Sequence, residues 1–377
     1  MIDVLIAGAG PAGAVAATVL ARGGVRVLVL ERARFPRHKL CGDTLNPGAL
    51  AILDRLGLAH VTTGALPLDG MVVTGDAGVS VIGRYETRQG RSLSRRNLDQ
   101  ALADAAAAAG AQIDEEVLVQ GPLIDSTGGV PTVAGLLIQR RDGRVLPVRA
   151  RMVIAADGRY SRVGRALRLS RSAPHPRRWA IGAYFSSVTG LTSLGEMHVR
   201  RTHYLGVAPL PDGVANACVV APRLPGGSLA EVLRGALLAD PMLRERFASA
   251  RMVGDAMCLG PLAIDCRTAG APGLLVAGDA AGFVDPMTGD GLRFAFRGAE
   301  LAALEALTTL EHGGGADAHV RLAAARARDF ARKWRFNRTL RMLVAHPHAV
   351  RAAGYAAALA PRTLQRAIRY AGDVHAA

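Results

Sequence analysis

The chain has 377 residues, half of them hydrophobic, which excludes a disordered protein and leaves room for two domains or one large composite core. The formal charge of +15 is carried almost wholly by arginine, with lysine only at Lys39 and Lys333. The codon bias of a GC-rich genome accounts for such a balance; attraction of anions is the functional alternative. Aromatic residues make up 4% of the chain and no nucleic-acid module is visible, so no nucleic-acid partner is expected. Cys41, Cys218, Cys258 and Cys266 form no CxxC pair and no histidine cluster lies at zinc spacing, so no metal is expected. Reduced thiols and the lack of a signal peptide or an apolar span predict a cytoplasmic protein.

Val4 to Ala7 is a continuous apolar run of the kind a buried parallel strand needs. Glycines follow, then an alanine-rich helix over 14–22 and a second buried strand over 25–30. Residues 32–46 are basic and irregular, and Pro47 opens a helix to Leu56. Residues 71–85 read as a hairpin, and 97–109 as a helix stopped by Gly110. Short strands fill 117–149, ahead of a separate buried strand over 152–156. From 179 to 220 apolar and polar positions alternate as in an antiparallel sheet, and 228–248 read as helical. Leu274 to Ala277 is again a buried strand, followed by a long helix over 291–310. The tail from Ala316 is helical and arginine-rich, with Phe330, Trp334 and Leu340 placed to line one face. A solvated helix packed on the body is preferred for it; a weak membrane-surface contact stays open.

Three glycine-bearing turns follow three of these buried strands. The first is Gly8-Ala9-Gly10-Pro11-Ala12-Gly13, between strand and helix, with Glu31 at the end of the next strand. That is the context in which GxGxxG binds a dinucleotide: glycines admit the tight turn and the pyrophosphate, and the helix N-terminus offers free N–H groups. Glu31 is then placed to accept from the adenosine ribose. The second is Asp157-Gly158, followed by Ser161; the third is Gly278-Asp279-Ala280-Ala281-Gly282, followed by Pro286 and Gly289-Asp290-Gly291. Each alone is an ordinary turn; the three in this order are specific.

With these motifs the chain resembles, from residue 1 to about 312, the FAD-dependent superfamily of para-hydroxybenzoate hydroxylase-type monooxygenases, geranylgeranyl reductases and flavin-dependent halogenases. The resemblance implies FAD as cofactor and NADPH or NADH as electron donor. It puts Asp279 at the ribityl chain, Asp157 and Gly158 near the pyrophosphate, Arg95 beside the cofactor and Val119 near the adenine. It brings Arg32, Cys41 and Gly42 into the cofactor set, and Pro286, Gly289, Gly291 and Leu292 against the ring. The segment 36–47 around Cys41, and Gly282 in the third turn, are most similar to the reductase branch. The expected fold class is α/β, α+β overall: a Rossmann-like domain of residues 1–70, 86–175 and 268–315, an inserted antiparallel-sheet substrate domain of 71–85 with 176–267, and C-terminal helices over 316–377.

Each branch uses its flavin differently. The halogenase motif Trp-x-Trp-x-Ile-Pro is replaced here by Tyr204 to Pro209, without either tryptophan. Hydroxylation of an aromatic, quinone or polyketide-like molecule through a flavin C4a-hydroperoxide ranks narrowly first, and reduction of isoprenoid or lipid double bonds second. In either case the partner is a small hydrophobic or aromatic substrate; the oligomeric state is not legible. On the substrate sheet, residues 196, 198 and 200 share a face. If that face looks inward, His198 is a base for a phenol and Arg200 an anion holder; an exposed polar face is the competing and preferred reading. Tyr204 is a second candidate, and Cys41 is a substrate contact, a proton donor or a small buried filler. The arginine that helps hydroxylases admit NADPH is replaced by Gly164, and the basic loop of Arg32, Arg34, Arg37 and Lys39 is the alternative steering element.

Overall fold

A computed structural model describes residues 2–76, 79–86, 88–172, 177–223, 226–283, 285–312 and 315–372. One sheet is built on five parallel strands, in the order Leu274–Val276, Val145–Ala155, Ile2–Ala7, Val27–Leu30 and Gln112–Asp114. Its central strands are apolar over Val4 to Ala7, Val27–Leu30 and Met152 to Ala155, where both of their faces are covered. Helices Pro11–Arg22, Arg95–Ala108 and Gly291–His312 pack on one face and share a single apolar cluster with it. Alanine lines the contact between the first and last of these helices and lets them approach closely.

The separate strand expected over 152–156 is the second half of an eleven-residue strand, Val145–Ala155. Its first half pairs antiparallel with Thr132–Gln139, which pairs in turn with Leu118–Asp125; its second half joins the parallel sheet. The burial pattern changes along the strand from exposed to fully buried, and this change read as a boundary in sequence. The helix expected over 228–248 is likewise two helices, Leu229–Ala239 and Arg244–Phe247, interrupted at Asp240-Pro241.

The second large sheet has seven strands in the order Arg251–Leu259, Trp179–Ser186, Ala215–Ala221, Tyr204–Pro209, Leu194–Val199, Gly70–Thr74 and Ser80–Arg84. All neighbours are antiparallel except Leu194–Val199 and Gly70–Thr74. Two short helices cover one face around Phe185, Leu205 and Phe247, and the other face looks towards the parallel sheet's signature turns. The tail folds as helices Ala318–Ala345, Pro347–Leu359 and Pro361–Gly372. Phe330 and Trp334 pack on Phe294 of the long helix, and Leu340 is half-buried. Among the described residues, no helix is long and apolar enough to cross a membrane, and no acid, histidine or cysteine cluster is arranged to hold a metal.

Candidate active site

The three signature turns leave the carboxyl ends of three adjacent parallel strands, with Ala155 registered beside both Ala7 and Val276. That edge is where open α/β sheets bind ligands. The turns also lock into one another. Gly8, at φ +91°, lies so close to the second turn that a Cβ would stand 2.7 Å from the Ala156 carbonyl oxygen. Gly278, at φ +60°, abuts the first turn, where a Cβ would stand 2.7 Å from that of Ala12. Here glycine is a requirement of contact between segments far apart in sequence.

Between these turns and the second sheet runs a cleft lined by Gly10, Pro11, Ala12, Gly158, Gly278 and Asp279 on one side. Its volume, counting the open mouth, is about 1430 Å³. Pro286, Gly289, Gly291 and Leu292 line it, as do Cys41, Gly42, Arg95 and Tyr204. Gly8 and Gly13 lie beneath its floor rather than on its wall.

The residues present fit FAD. The helix Pro11–Arg22 begins at Gly10 with no side-chain cap, so its first N–H groups point into the cleft. Lys39 lies beside Gly158, and burial, then neighbouring Arg95 and Arg37, push its ammonium below the usual lysine range. A pyrophosphate would relieve that crowding of cations. Arg95 is held bidentate by Asp99 at 2.6 and 2.8 Å, and Arg37 reaches the same carboxylate at 3.0 Å. Arg37 is therefore tied into the site's own ion network, so the steering loop does not present it as a free surface cation; Arg32 is exposed and lies off the cleft wall.

Two expected cofactor residues do local structural work. Glu31 is buried and accepts from the N–H groups of Ala9 at 2.9 Å and Ala33 at 3.0 Å, bracing the glycine turn from below. Asp157 accepts from the Arg162 N–H at 2.9 Å and so holds the start of the short helix Arg162–Ala166. Val119 is buried in the apolar cluster with Leu30 and Val117, away from the cleft wall.

The opposite wall corrects the choice of base. His198 is 1% exposed and lies on the sheet face turned towards the covering helices. Its Nδ1 meets Thr74 Oγ1 at 2.9 Å and its Nε2 meets Glu196 at 2.9 Å. Glu196 also takes Arg246 through two bonds of 2.7 Å, and Arg200 is bonded to Asp240. Residues 196, 198 and 200 thus share a face, but it is a largely buried polar layer tied up in ion pairs, of which only Glu196 also borders the cleft. Met197 takes the cleft side instead.

Tyr204 is on the cleft wall, and its hydroxyl donates to Asp285 Oδ1 at 2.7 Å. Burial, then Asp285, push this phenol well up, so it stays protonated. Arg178 donates to the other Asp285 oxygen at 3.2 Å. Cys41 faces the cleft, and burial is the main cause pushing its thiol up. Its carbonyl accepts from Asn216 Nδ2 at 2.8 Å, and the same amide donates to Asp43 at 2.6 Å. Asp43 is fully buried, at φ +55°, and burial pushes its carboxyl up to about 6.

Sequence reasoning missed Asp43, Asn216 and Asp285 with Arg178. It also missed the contribution of the tail. Lys333 and Asn337 are buried against Asp290, with Lys333 Nζ 3.3 Å from Oδ1 and Asn337 donating to Oδ2 at 3.2 Å. Asn46 donates to the same carboxylate at 3.1 Å. The available signal was the spacing of Phe330, Lys333 and Asn337 on one helical face, with one of the two lysines of an otherwise arginine-based chain.

Residues 1–224 match the family described as the FAD binding domain. A menaquinone reductase of Mycolicibacterium smegmatis is 29% identical over 392 aligned positions, covering 99% of this chain and 91% of that protein. Digeranylgeranylglycerophospholipid reductase 2 of Methanopyrus kandleri is 32% identical over 314 positions, covering 77% of this chain and 73% of that protein. Among solved structures, a geranylgeranyl bacteriochlorophyll reductase-like protein from Thermoplasma acidophilum superimposes with a TM-score of 0.80 at 23% identity, over 92% of this chain and 89% of that one. The flavin-dependent brominase Bmp2 gives 0.82 at 19% identity, over 100% and 94%. At such identities the structural likenesses speak for the fold. The chain belongs to the FAD binding domain family and, within it, to the superfamily of FAD-dependent oxidoreductases that holds the para-hydroxybenzoate hydroxylase type and the geranylgeranyl reductases.

Proposed function

We propose that this flavoprotein reduces a carbon–carbon double bond in an apolar, isoprenoid-like substrate, with a reduced nicotinamide as electron donor. The observation that carries the reading is the substrate-side wall. Met71, Ala180, Met197, Val220, Leu262 and Phe283 form it, and among its few polar groups is a thiol that burial keeps protonated. Hydroxylating a phenol calls for a base at the ring, and the candidate base His198 faces away with both nitrogens engaged. This reverses the order reached from sequence. The names of the relatives, a menaquinone reductase and a digeranylgeranylglycerophospholipid reductase, support the same reading.

Bound FAD, once reduced, supplies a hydride to one carbon of the alkene. The chain's part is to exclude water, align the alkene and deliver a proton to the other carbon. Cys41 is the proposed donor of that proton, leaving a thiolate that solvent reprotonates. Asn216 fixes the loop by holding both the Cys41 carbonyl and the Asp43 carboxylate. Tyr204, tied to Asp285, keeps the far wall in place.

The test is anaerobic turnover of polyprenyl quinones and prenyl phospholipids by the FAD-loaded protein, read by mass spectrometry. Addition of two hydrogens is expected, with Cys41→Ser slowed by about a hundredfold or more. A hydroxylated product, formed only under oxygen from a phenolic or quinol substrate, overturns the proposal in favour of monooxygenation.

A further inference from the structure

The tail carries a surface that the flavin chemistry does not use. From Ala331 to Gly372 the sequence has nine lysine and arginine residues and no aspartate or glutamate. Within this stretch the helix Pro347–Leu359 exposes a continuous stripe at helical spacing: His348, Arg351, Tyr355 and Leu359. Leu359 is 88% and Tyr355 65% exposed, the two highest values among the large hydrophobic side chains described. Single exposed hydrophobics are ordinary, but here two of them lie one turn apart on one short helix between Arg351 and Arg362. Leucine at the tip, tyrosine beside it and arginine at the flanks are what a helix needs to lie in the headgroup layer of a bilayer.

The same tail packs against residues that form the active-site wall. Val344, one turn before this helix, packs on the apolar cluster of Ala180, Met197, Tyr204 and Val220. Arg178, which holds Asp285, also donates to the Arg341 carbonyl at 3.3 Å. A surface that touches a membrane through residues 347–362 therefore stands next to the roof of the substrate cavity.

We infer that the helix Pro347–Leu359 and the following Arg362 form a docking surface for an anionic lipid bilayer. Charge complementarity selects this occupant: Arg351 and Arg362 are exposed on a segment without an acid of its own, whereas Lys333, Arg338 and Arg369 are taken up by Asp290, Asp265 and Glu86, and the apolar pair needs a hydrocarbon boundary. The inference stands whichever substrate the flavin site takes.

The test is co-sedimentation of the full-length, FAD-loaded protein with vesicles of phosphatidylglycerol and phosphatidylcholine, against phosphatidylcholine alone. Binding is expected only to the anionic vesicles and is expected to fall away in about 0.5 M salt. The double variant Tyr355→Ser, Leu359→Ser should weaken it by roughly tenfold. Arg351→Gln and Arg362→Gln should each weaken it by about fivefold. An unchanged flavin spectrum shows that the variants are folded. Absence of vesicle binding, equal binding to neutral vesicles, or binding untouched by these substitutions overturns the inference. So does self-association in solution that the Ser variant abolishes while vesicle binding persists.

Discussion

The two sheets encode function in different ways. In the parallel sheet, each working turn is a contiguous motif at the end of an apolar strand, and glycine at Gly8 and Gly278 is dictated by backbone contact. In the seven-stranded sheet, function depends on which face a residue occupies. Leu194–Val199 is buried on both faces, so the alternation that normally separates inside from outside carries no signal there. A shift of one position decides whether Met197 or His198 meets the substrate, and composition does not announce which. Motifs are legible because they are local; a choice of face is legible only when one of the faces is wet.

The sharpest way to break this comparison is at a signature glycine. Gly8→Ala places a Cβ against the Ala156 carbonyl in a left-handed conformation, at a cost of roughly 2–5 kcal/mol. FAD content after purification and the thermal midpoint should both fall; normal flavin occupancy would show that the interlock is dispensable. Next in size is the buried polar layer. Glu196→Ala strands Arg246 and should cost about 3 kcal/mol of stability, while turnover per folded, flavin-loaded molecule stays normal. A selective loss of kcat at unchanged stability would return this face to the active site.

Asp43 gives a pH-dependent prediction. Its carboxyl is pushed from 3.8 up to about 6, so the folded state binds the proton more tightly than the unfolded chain. Its contribution therefore favours folding below about 4 and declines as pH rises to about 6, by roughly 2–3 kcal/mol in total. Denaturant titrations of Asp43→Asn against the parent should show that slope removed between those limits; parallel curves would disprove the shift. The smallest effect is expected at His198. His198→Gln should lose about 1 kcal/mol, one hydrogen bond's worth, and leave the pH profile of catalysis unchanged. A vanished basic limb would make it a catalytic base after all.

Much of the fold is legible in the sequence. The strands that carry the turns, the helix after Gly13 and the long helix after Gly291 follow from apolar runs and glycine placement. The strand Val145–Ala155 reads as two elements in sequence because its two halves serve different neighbours. Asp43 and Asn216 escaped notice because a buried acid and amide separated by 173 positions have no pattern until the sheets meet. Lys333 was hidden for the opposite reason: it sits among arginines that face solvent.

The interlocking turns also bear on when the cofactor arrives. Ala12 meets Gly278, and Asp290 is clasped by Lys333 and Asn337, whose position the tail's last turn secures through the Tyr370 and Ala371 carbonyls. A chain emerging from the ribosome has its GxGxxG turn early, yet the third turn and the tail residues that clasp Asp290 follow only much later in the sequence. Flavin loading is therefore expected only after the third turn has been made, so a bound yellow cofactor would report that the three distant turns have met.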